Sequence, residues 1–261
     1  MKKAGIIGCG WLGSRIAEVL SKHFEMYTTI TNPDKIEQLE SKGFHPRLAN
    51  FPDYLLTEKH AQWDVINKLD ILIITIPLSG KSCCVSSLYN RIQNLLSFIG
   101  EFNGQLFLMS STGVYPDLSK EFSEEDMPSD RISGERMIKA KYPQVNVLRL
   151  AGLMGDDRFL SKYKVSNLNF FVNHIHYMDV CSVIKKMIEK QVHSKVYNVV
   201  APIHPVKSEV ISIQKNVPHS EELNAEGKII LSSRLISELN FTFIHADPRY
   251  FHQLSSTEGH S

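Results

Sequence analysis

The sequence lacks an excess of charge of either sign, and it lacks any long apolar run. Its 261 residues include 29 lysines and arginines against 28 aspartates and glutamates, which gives a formal net charge of +1. This balance offers no electrostatic reason to expect a nucleic acid or an anionic membrane as a partner. The longest strongly apolar run, residues 71–78, is interrupted by Thr75 and Pro77 and is far shorter than the roughly 20 residues of a membrane-spanning helix.

Cysteine is also scarce. The four cysteines are Cys9, Cys83, Cys84 and Cys181, and their spacing suits neither a disulfide framework nor a zinc site. We interpret them as reduced thiols, which predicts a cytoplasmic protein. The apolar stretch before Cys9 is shorter than the roughly 7–15 residues that a secretory signal requires, so we interpret it as a first β-strand.

What the sequence does contain is an alternation of short apolar runs with helix-like segments. Strands are predicted at residues 4–7, 26–31, 45–48, 70–76, 105–109 and 145–150, and helices at residues 12–22, 34–42, 61–68, 86–99 and 129–141. Near-continuous apolar strands fit a sheet that is buried on both faces. The alternation therefore predicts an α/β fold with a Rossmann-type, doubly wound parallel sheet.

The first strand-to-helix turn reads G-C-G-W-L-G and fits the pattern G-x-G-x-x-G in the context that dinucleotide-binding turns require. Gly8 would permit the tight turn, Gly10 the approach of a pyrophosphate to the backbone, and Gly13 the close packing of the helix on the strand. The unpaired amides of the helix N-terminus would bind the phosphates. Trp11 and Leu12 complete the predicted cofactor-binding turn, with packing as the alternative for both. The alternative for the whole turn is a structural role without a ligand.

The residues after the second strand predict which dinucleotide binds. NAD-specific proteins carry an acid there, about 20 residues beyond the glycines, to bind the ribose. Here Thr31 or Asn32 occupies that position, so no carboxylate would repel a 2′-phosphate. Thr31 and Asn32 can hydrogen-bond such a phosphate and Lys35 can neutralise it. NADP is therefore the preferred cofactor, while Asp34 keeps NAD open because a shift of a few residues would bring its carboxylate to the ribose.

Several later stretches carry a family resemblance. They read S-S-T-G-V-Y at 110–115, V-L-R-L at 147–150, G-L-M-G at 152–155, H-I-H-Y-M-D-V at 174–180 and Y-N-V at 197–199. With the glycine turn, in this order and spacing, they resemble the extended short-chain dehydrogenase/reductase superfamily. Its nucleotide-sugar epimerases and dehydratases carry S-S-x-x-V-Y, L-R-x-x-x-x-Y-G, I-H-x-x-D-V and Y-N-V stretches. The resemblance spans nearly the whole chain.

The resemblance implies specific roles for residues at the ends of the strands. Ser111 would orient a substrate hydroxyl or carbonyl, while Ser110, Thr75, Ile76 and Pro77 would line the cofactor. It also implies an NAD(P)-dependent oxidoreductase or epimerase/dehydratase-like activity on a small molecule, such as a nucleotide sugar or a small carbonyl compound. Members of the superfamily often dimerise through a helix pair, so a homodimer is a further expectation.

The chain departs from the family at its catalytic pair, a tyrosine followed by a lysine four residues later. Residues 128–141, where the pair should fall, contain no tyrosine, and Ile132 and Arg136 stand at one alignment of the pair. The phenolate normally takes or gives the hydroxyl proton while the lysine lowers its pKa. The sequence therefore resembles an atypical member of the superfamily. Tyr115 is the candidate replacement for the proton donor, with packing in its loop as the alternative.

The second half of the chain predicts a smaller lobe. We predict an NAD(P)-binding core at residues 1–158, to which residues 179–201 return through a helix capped by Asp179. Residues 159–178 and 202–255 would form a small C-terminal substrate lobe with a last short strand at 241–244. The polar tail, 256–261, would be frayed.

Other functions were weighed against this one. His174 and His176 face one side of an extended segment, but no third ligand is visible, so no metal site is predicted. An intact glycine turn beside a missing catalytic pair also fits a non-enzymatic NADP(H)-binding redox sensor or regulator. A β-hydroxyacid or imine reductase would carry a long helical second domain, and the β-prone second half argues against it.

Overall fold

The structure, a computed structural model, describes residues 1–56, 61–78, 85–126, 130–218 and 224–253. Its strands are β1 (Lys2–Ile7), β2 (Phe24–Ile30), β3 (His45–Leu48), β4 (Ile71–Ile74), β5 (Gln105–Ser111), β6 (Glu121–Phe122), β7 (Asn146–Leu150), β8 (Gly152–Met154), β9 (His174–His176), β10 (Val196–Val199) and β11 (Ile229–Ile230). Its α-helices are α1 (Trp11–Leu20), α2 (Ile36–Glu40), α3 (Val85–Ile99), α4 (Ser133–Lys141), α5 (Tyr177–Glu189), α6 (Lys207–Gln214) and α7 (Ser233–Leu239).

Seven strands form one parallel sheet in the order β10-β7-β5-β4-β1-β2-β3. The chain first moves outward from β1 to β3 and then returns to add β4, β5, β7 and β10 on the other side. The register pairs Ile7 of β1 with Thr29 of β2 and with Ile74 of β4, so these three strands end level with one another. Doubly wound sheets open a crevice at such a reversal, at the carboxyl ends of the strands. The predicted Rossmann-type α/β fold is confirmed.

The sheet forms because its strands are short apolar runs. β4 reads I-L-I-I with all four side chains buried, as expected for a strand between two neighbours and covered on both faces. α1 buries Leu12, Ile16 and Leu20 at helical spacing. Further along the chain, Trp63 and Phe98 stack with their ring centroids 5.6 Å apart inside the apolar cluster that joins α3 to the sheet.

The chain divides into two compact units. The first unit comprises Met1–Val114, Ser129–Leu148 and Met187–Val196, and the second comprises Tyr115–Pro128, Arg149–Lys186 and Tyr197–Ser261. The division passes through β7 and β10. It differs from the expected core of 1–158, since residues from Tyr115 and from Arg149 onward group with the later part of the chain. The predicted domain boundaries stay a prediction.

Two expected elements are replaced by other structures. The helix predicted at residues 61–68 is only a single 3-10 turn, Ile66–Lys68. The strand predicted at 241–244 is not a strand, because the backbone amides of Ile244 and His245 donate to the carboxylate of Asp179 at 2.7 and 3.0 Å. Asp179 therefore does not cap a helix, and α5 already begins at Tyr177.

Within the part of the chain that the structure describes, no helix is both long and apolar enough to cross a membrane.

The strands β8 and β9 form a short parallel pair that the sequence pattern does not predict.

Candidate functional site

A cavity of about 540 Å³ lies in the first unit. Five parts of the chain line it: the glycine turn after β1, the end of β2 with the residues just beyond it, the residues after β3, the residues that follow β4, and Arg91 of α3. The structure thus brings together the predicted cofactor-binding residues of these segments, which are Gly8, Gly10, Thr31, Asn32, Lys35, Thr75, Ile76 and Pro77. The cavity stands at the carboxyl ends of the strands on both sides of the sheet's reversal, where open α/β sheets bind their ligands.

Glycine at each of the three positions of the turn meets a different structural environment. Gly8 has a φ of +99°, and a Cβ there would lie 2.6 Å from Cγ2 of Ile76. A Cβ on Gly13 would lie 2.5 Å from the carbonyl oxygen of Gly8, so only glycine lets the helix approach the strand this closely. A Cβ on Gly10 would meet nothing closer than the same oxygen, at 4.0 Å. The fold requires Gly8 and Gly13, whereas the bare backbone at Gly10 faces open space in the cavity wall.

Hydrogen bonds hold the turn in place from the neighbouring strands. The amide of Gly8 donates to the Thr29 hydroxyl at 3.0 Å, and the amide of Cys9 donates to the Thr29 carbonyl at 2.7 Å. The Thr75 hydroxyl donates to the carbonyl of Ile7 at 3.1 Å. These contacts tie the turn to β2 and to the residue that follows β4.

The segment after β2 presents polar groups but no carboxylate to the cavity. Asn32 accepts a hydrogen bond from the amide of Asp34 at 3.0 Å and so opens a 3-10 turn. Lys35 is exposed and lines the cavity, whereas Asp34 is not among the lining residues. The cationic side chain, and not the acidic one, therefore faces the space where a ligand would bind.

Cys9 also lines the cavity, but its thiol has a low reactivity. Burial raises the pKa of its thiol to about 11, with only partial offset from the Thr28 side chain. A thiol with such a pKa is protonated at neutral pH and is a poor nucleophile. We therefore interpret Cys9 as a packing residue of the turn.

Trp11, Leu12 and Gly13 are not among the residues that line the cavity. The guanidinium of Arg15 stacks on the Trp11 ring at 4.0 Å and donates to its carbonyl at 2.6 Å. Leu12 is buried within α1. The contacts of Trp11 and Leu12 favour the packing role, and a direct role in binding a cofactor stays a prediction for both.

The end of β5 carries the two predicted serines, which lie outside the cavity lining. The Ser110 hydroxyl donates to Oε1 of Glu135 at 2.6 Å, and Glu135 is buried on α4. The Ser111 hydroxyl accepts from the amide of Gly113 at 3.1 Å and is partly exposed. Ser111 therefore keeps a hydroxyl near the surface, whereas Ser110 is engaged with an internal carboxylate.

The helix expected to carry the catalytic pair does not supply it. Arg136 is exposed, and Ile132 stands at the N-cap of α4. Tyr142, just beyond the helix, donates from its hydroxyl to the carbonyl of Gly100 at 2.6 Å, and burial raises the pKa of that hydroxyl. Tyr142 is thus a structural residue and does not replace the missing tyrosine.

Tyr115 belongs to the second unit and is fully buried. Its hydroxyl donates to Oδ1 of Asn198 at 2.9 Å and accepts from the guanidinium of Arg149 at 2.9 Å. Burial raises the pKa of the phenol, and the neighbouring Arg149 offsets part of that effect. A phenol with two protein partners in the interior is suited to packing. A catalytic role for Tyr115 stays a prediction that this geometry does not favour.

Three histidines of the second unit, His174, His176 and His245, have lowered pKa values. Burial lowers the pKa of His174 and of His176 to about 4, and the second effect on His176 comes from His245, whose ring centroid is 3.9 Å away. Burial also lowers the pKa of His245. Among the described residues, no group of three or more histidines, cysteines, aspartates or glutamates could hold a metal ion.

Seven lining residues are not among the predicted cofactor-binding residues: Cys9 of the glycine turn, Thr29 and Ile30 of β2, Ala49, Asn50 and Phe51 after β3, and Arg91 on α3. Arg91 could have been suspected from the sequence, because it is a cation within an otherwise amphipathic helix. The residues after β3 carry no motif that would distinguish them from an ordinary loop.

Comparisons with known proteins agree with this architecture. No protein-family model matches the chain. Protein YeeZ of Escherichia coli strain K12 is 25% identical over 270 residues, which cover 95% of this chain and 98% of that protein.

The solved structures that resemble the chain cover nearly its whole length. The yeast methylglyoxal/isovaleraldehyde reductase Gre2, in complex with NADPH, covers 96% of both chains with a TM-score of 0.75 and 12% identity. A functionally unknown conserved protein from Silicibacter pomeroyi DSS covers 97% of both with a TM-score of 0.71 and 19% identity. The UDP-glucuronic acid 4-epimerase of Bacillus cereus, in complex with NAD, covers 97% of both with a TM-score of 0.69 and 14% identity. The chain therefore shares the fold of these reductase and epimerase structures, as the resemblance predicted.

Proposed function

We propose that this chain binds an NAD(P) dinucleotide in the cavity of its first unit. The observation that carries the proposal is the glycine turn itself, which lines the cavity and precedes α1. Amides at the N-terminus of a helix, together with the helix dipole, bind the phosphates of such a ligand. The reductase Gre2 and the 4-epimerase, which share the fold, were solved with NADPH and NAD.

The residues present fit the dinucleotide. The bare backbone at Gly10 leaves space that a Cβ would fill, and a pyrophosphate needs this close approach. Threonine and asparagine side chains at the end of β2 can hydrogen-bond a ribose or its 2′-phosphate. The cavity of about 540 Å³ lies within the usual range for small-molecule sites.

We infer a preference for NADP over NAD. Lys35 lines the cavity and can neutralise a 2′-phosphate, and Asp34, which would favour a free ribose, is not among the lining residues. Thr31 and Asn32 occupy the position where an NAD-specific protein carries its acid. A charge-assisted contact of this kind favours the phosphorylated cofactor and weakens as salt screens it.

We propose an atypical oxidoreductase or epimerase/dehydratase-like activity on a small molecule such as a nucleotide sugar or a small carbonyl compound. When bound, the nicotinamide would accept or supply a hydride. The residues of this chain would bind the cofactor, and Ser111 would orient the substrate hydroxyl or carbonyl. The proton donor is not a tyrosine of α4, which has none, and Tyr115 is engaged by Asn198 and Arg149. Water or a group of the substrate itself is the donor that fits.

The experiment is a titration of the purified protein with NADPH and with NADH, followed by nicotinamide fluorescence. Saturable binding with NADPH tighter than NADH is expected. Binding of neither cofactor at millimolar concentration would contradict the proposal, and tighter binding of NADH would contradict the preference. A screen of nucleotide sugars and small carbonyl compounds follows, in which unchanged turnover by a Ser111→Ala variant would exclude the role of Ser111.

A second candidate function is a non-enzymatic NADP(H) sensor. It is favoured by the buried, doubly hydrogen-bonded hydroxyl of Tyr115 in a chain that lacks the catalytic pair. A sensor should bind NADP+ and NADPH with different affinities and turn over no substrate. Turnover of any compound in the screen would reject it.

A further inference from the structure

Residues 49–54, which we call the wall, belong to no helix or strand. Residues 49–51 line the cavity, residues 52–54 continue the wall beyond the lining, and side chains of α3 hold it. The Asn94 amide donates to the carbonyl of Pro52 at 3.1 Å and to the carbonyl of Tyr54 at 2.8 Å. The Asn90 amide donates to the carbonyl of the residue between them at 3.2 Å. Three successive carbonyls of the wall are thus hydrogen-bonded by two asparagines one helical turn apart.

Arg91 connects this wall to a second loop. Its Nε donates to Oδ1 of Asp53 at 2.7 Å, and its Nη2 lies 2.7 Å from the same oxygen. Its Nη1 donates to the carbonyl of Pro77 at 3.0 Å. The guanidinium therefore joins the loop after β3 to the loop after β4, and the side chain itself lines the cavity.

An aromatic contact continues the same stripe of the helix. Phe51 is buried and meets Phe98 edge-on, with ring centroids 5.3 Å apart. Residues 91, 94 and 98 are three and four apart, so they share one face of α3. Through this face, α3 makes an ion pair, amide hydrogen bonds and an apolar contact with the wall, which has no regular secondary structure.

We propose that Arg91, supported by Asn90 and Asn94, is a positioning residue that sets the wall of the dinucleotide site. The proposal rests on the proposed function. Because Asp53 compensates the guanidinium charge, Arg91 serves NADP and NAD equally, while Lys35 distinguishes them. Without Arg91 the wall is no longer held in place, so the affinities for NADPH and for NADH fall by the same factor.

The first test replaces Arg91→Met, which keeps the length of the side chain without its donors. The dissociation constants of NADPH and NADH are both expected to rise about tenfold, with their ratio unchanged. Arg91→Lys should recover part of the loss, because a lysine can reach one acceptor but cannot bridge two. The control is Lys141→Met, which removes another ion pair of the first unit, with Glu101, outside the cavity lining. It should leave both constants unchanged.

The second test separates positioning from direct recognition of a phosphate. Asp53→Ala removes the acceptor that holds the guanidinium. If Arg91 positions the wall, this variant binds NADPH and NADH more weakly. If Arg91 instead binds the 2′-phosphate directly, freeing it from Asp53 tightens NADPH alone, and that result would overturn the proposal.

A third measurement does not depend on cofactor. Hydrogen exchange of the Leu56 amide, which donates to Oδ1 of Asn94 at 3.5 Å, is expected to be faster in free Arg91→Met than in free wild-type protein, and unchanged exchange would overturn the positioning role. Wild-type protein that binds neither cofactor would overturn the proposed function. Wild-type protein that binds both, together with Arg91→Met that binds them equally well, would overturn only the role of Arg91.

Discussion

The two compact units use their polar side chains in different ways. In the first unit, Thr31, Asn32 and Lys35 are exposed and line an open cavity. In the second unit, Tyr115 and Arg149 are buried and hydrogen-bonded to each other. Burying a polar group is costly unless another group compensates it, so the second unit depends on a complete internal network. Polar atoms that face the open cavity are available to a ligand, whereas polar atoms that face one another in the interior hold the fold.

The same contrast applies within the glycine turn. Gly13 is required by the fold, whereas a Cβ on Gly10 would meet nothing closer than the Gly8 carbonyl oxygen, at 4.0 Å. The following variants test the contrast, from the largest expected effect to the smallest.

Gly13→Ala should be the most damaging of the small substitutions. The new Cβ would lie 2.5 Å from the carbonyl oxygen of Gly8, so α1 must move away from β1. Overpacking of this kind costs about 3 kcal/mol in the free energy of unfolding. Urea unfolding measures it, with Gly10→Ala as the matched control at a site where the same atom meets no clash. Equal stability of the two variants would contradict the assignment.

Tyr115→Phe should destabilise the protein without changing cofactor binding. The variant leaves the Arg149 guanidinium and the Asn198 amide oxygen without their shared partner in the interior. The expected loss is about 2 kcal/mol, since one of the two hydrogen bonds involves a charged group. Tyr163→Phe, at an exposed tyrosine of the same unit, is the control for urea unfolding. A variant that kept its stability and lost turnover would restore Tyr115 as a catalytic residue.

His176 should make stability fall on acidification. The pKa of His176 is about 4 in the folded protein, against about 6.5 in an unfolded chain. As the pH falls below about 6.5, His176 becomes protonated in the unfolded chain, whereas in the folded protein it stays neutral until about pH 4. The free energy of unfolding therefore decreases between about pH 6.5 and pH 4. Between pH 7 and pH 5 this single group should cost about 2 kcal/mol.

The comparison of wild type with His176→Phe isolates that contribution. The difference in unfolding free energy between pH 7 and pH 5 should be about 2 kcal/mol smaller in the variant. Asp179, whose pKa burial raises to about 6, has the opposite sign, because its protonation on acidification favours the folded state. It is present in both proteins and cancels. A difference between pH 7 and pH 5 that is as large in His176→Phe as in wild type would contradict the buried, neutral state of His176.

Lys35→Ala should have the smallest effect, confined to one cofactor. Loss of the exposed cation is expected to weaken NADPH binding about fivefold at low salt and to leave NADH unchanged. Lys22→Ala removes the same charge from an exposed site outside the cavity lining and controls for net charge. Equal weakening of both cofactors by Lys35→Ala would show that Lys35 does not face a 2′-phosphate.

Much of the first unit could be predicted from the sequence because its signals are local. The turn at Gly8 and Gly13 and the apolar run of β4 are each contained in a few adjacent residues. The wall formed by residues 49–54 could not be predicted, because it depends on α3 side chains some 40 residues later in the chain. No short-range pattern marks such a contact.

The second unit was harder to predict because its polar residues act at long range. Asp179 looks like a helix cap in the sequence, but its carboxylate accepts from two amides more than 60 residues away. Those amides then cannot belong to a strand ladder, so the strand expected at 241–244 does not form. The hydrogen bonds of the Tyr115 hydroxyl to Arg149 and Asn198 likewise join residues far apart in the chain, and its role as a proton donor stays a prediction.

The most direct test of the account compares wild-type protein with Gly10→Ala in a titration with NADPH, alongside urea unfolding of both. The account predicts that the two proteins are equally stable, within about 0.5 kcal/mol, and that the variant binds NADPH at least about tenfold more weakly. Saturable binding of equal strength in both would contradict the claim that the open backbone at Gly10 is the site of the dinucleotide.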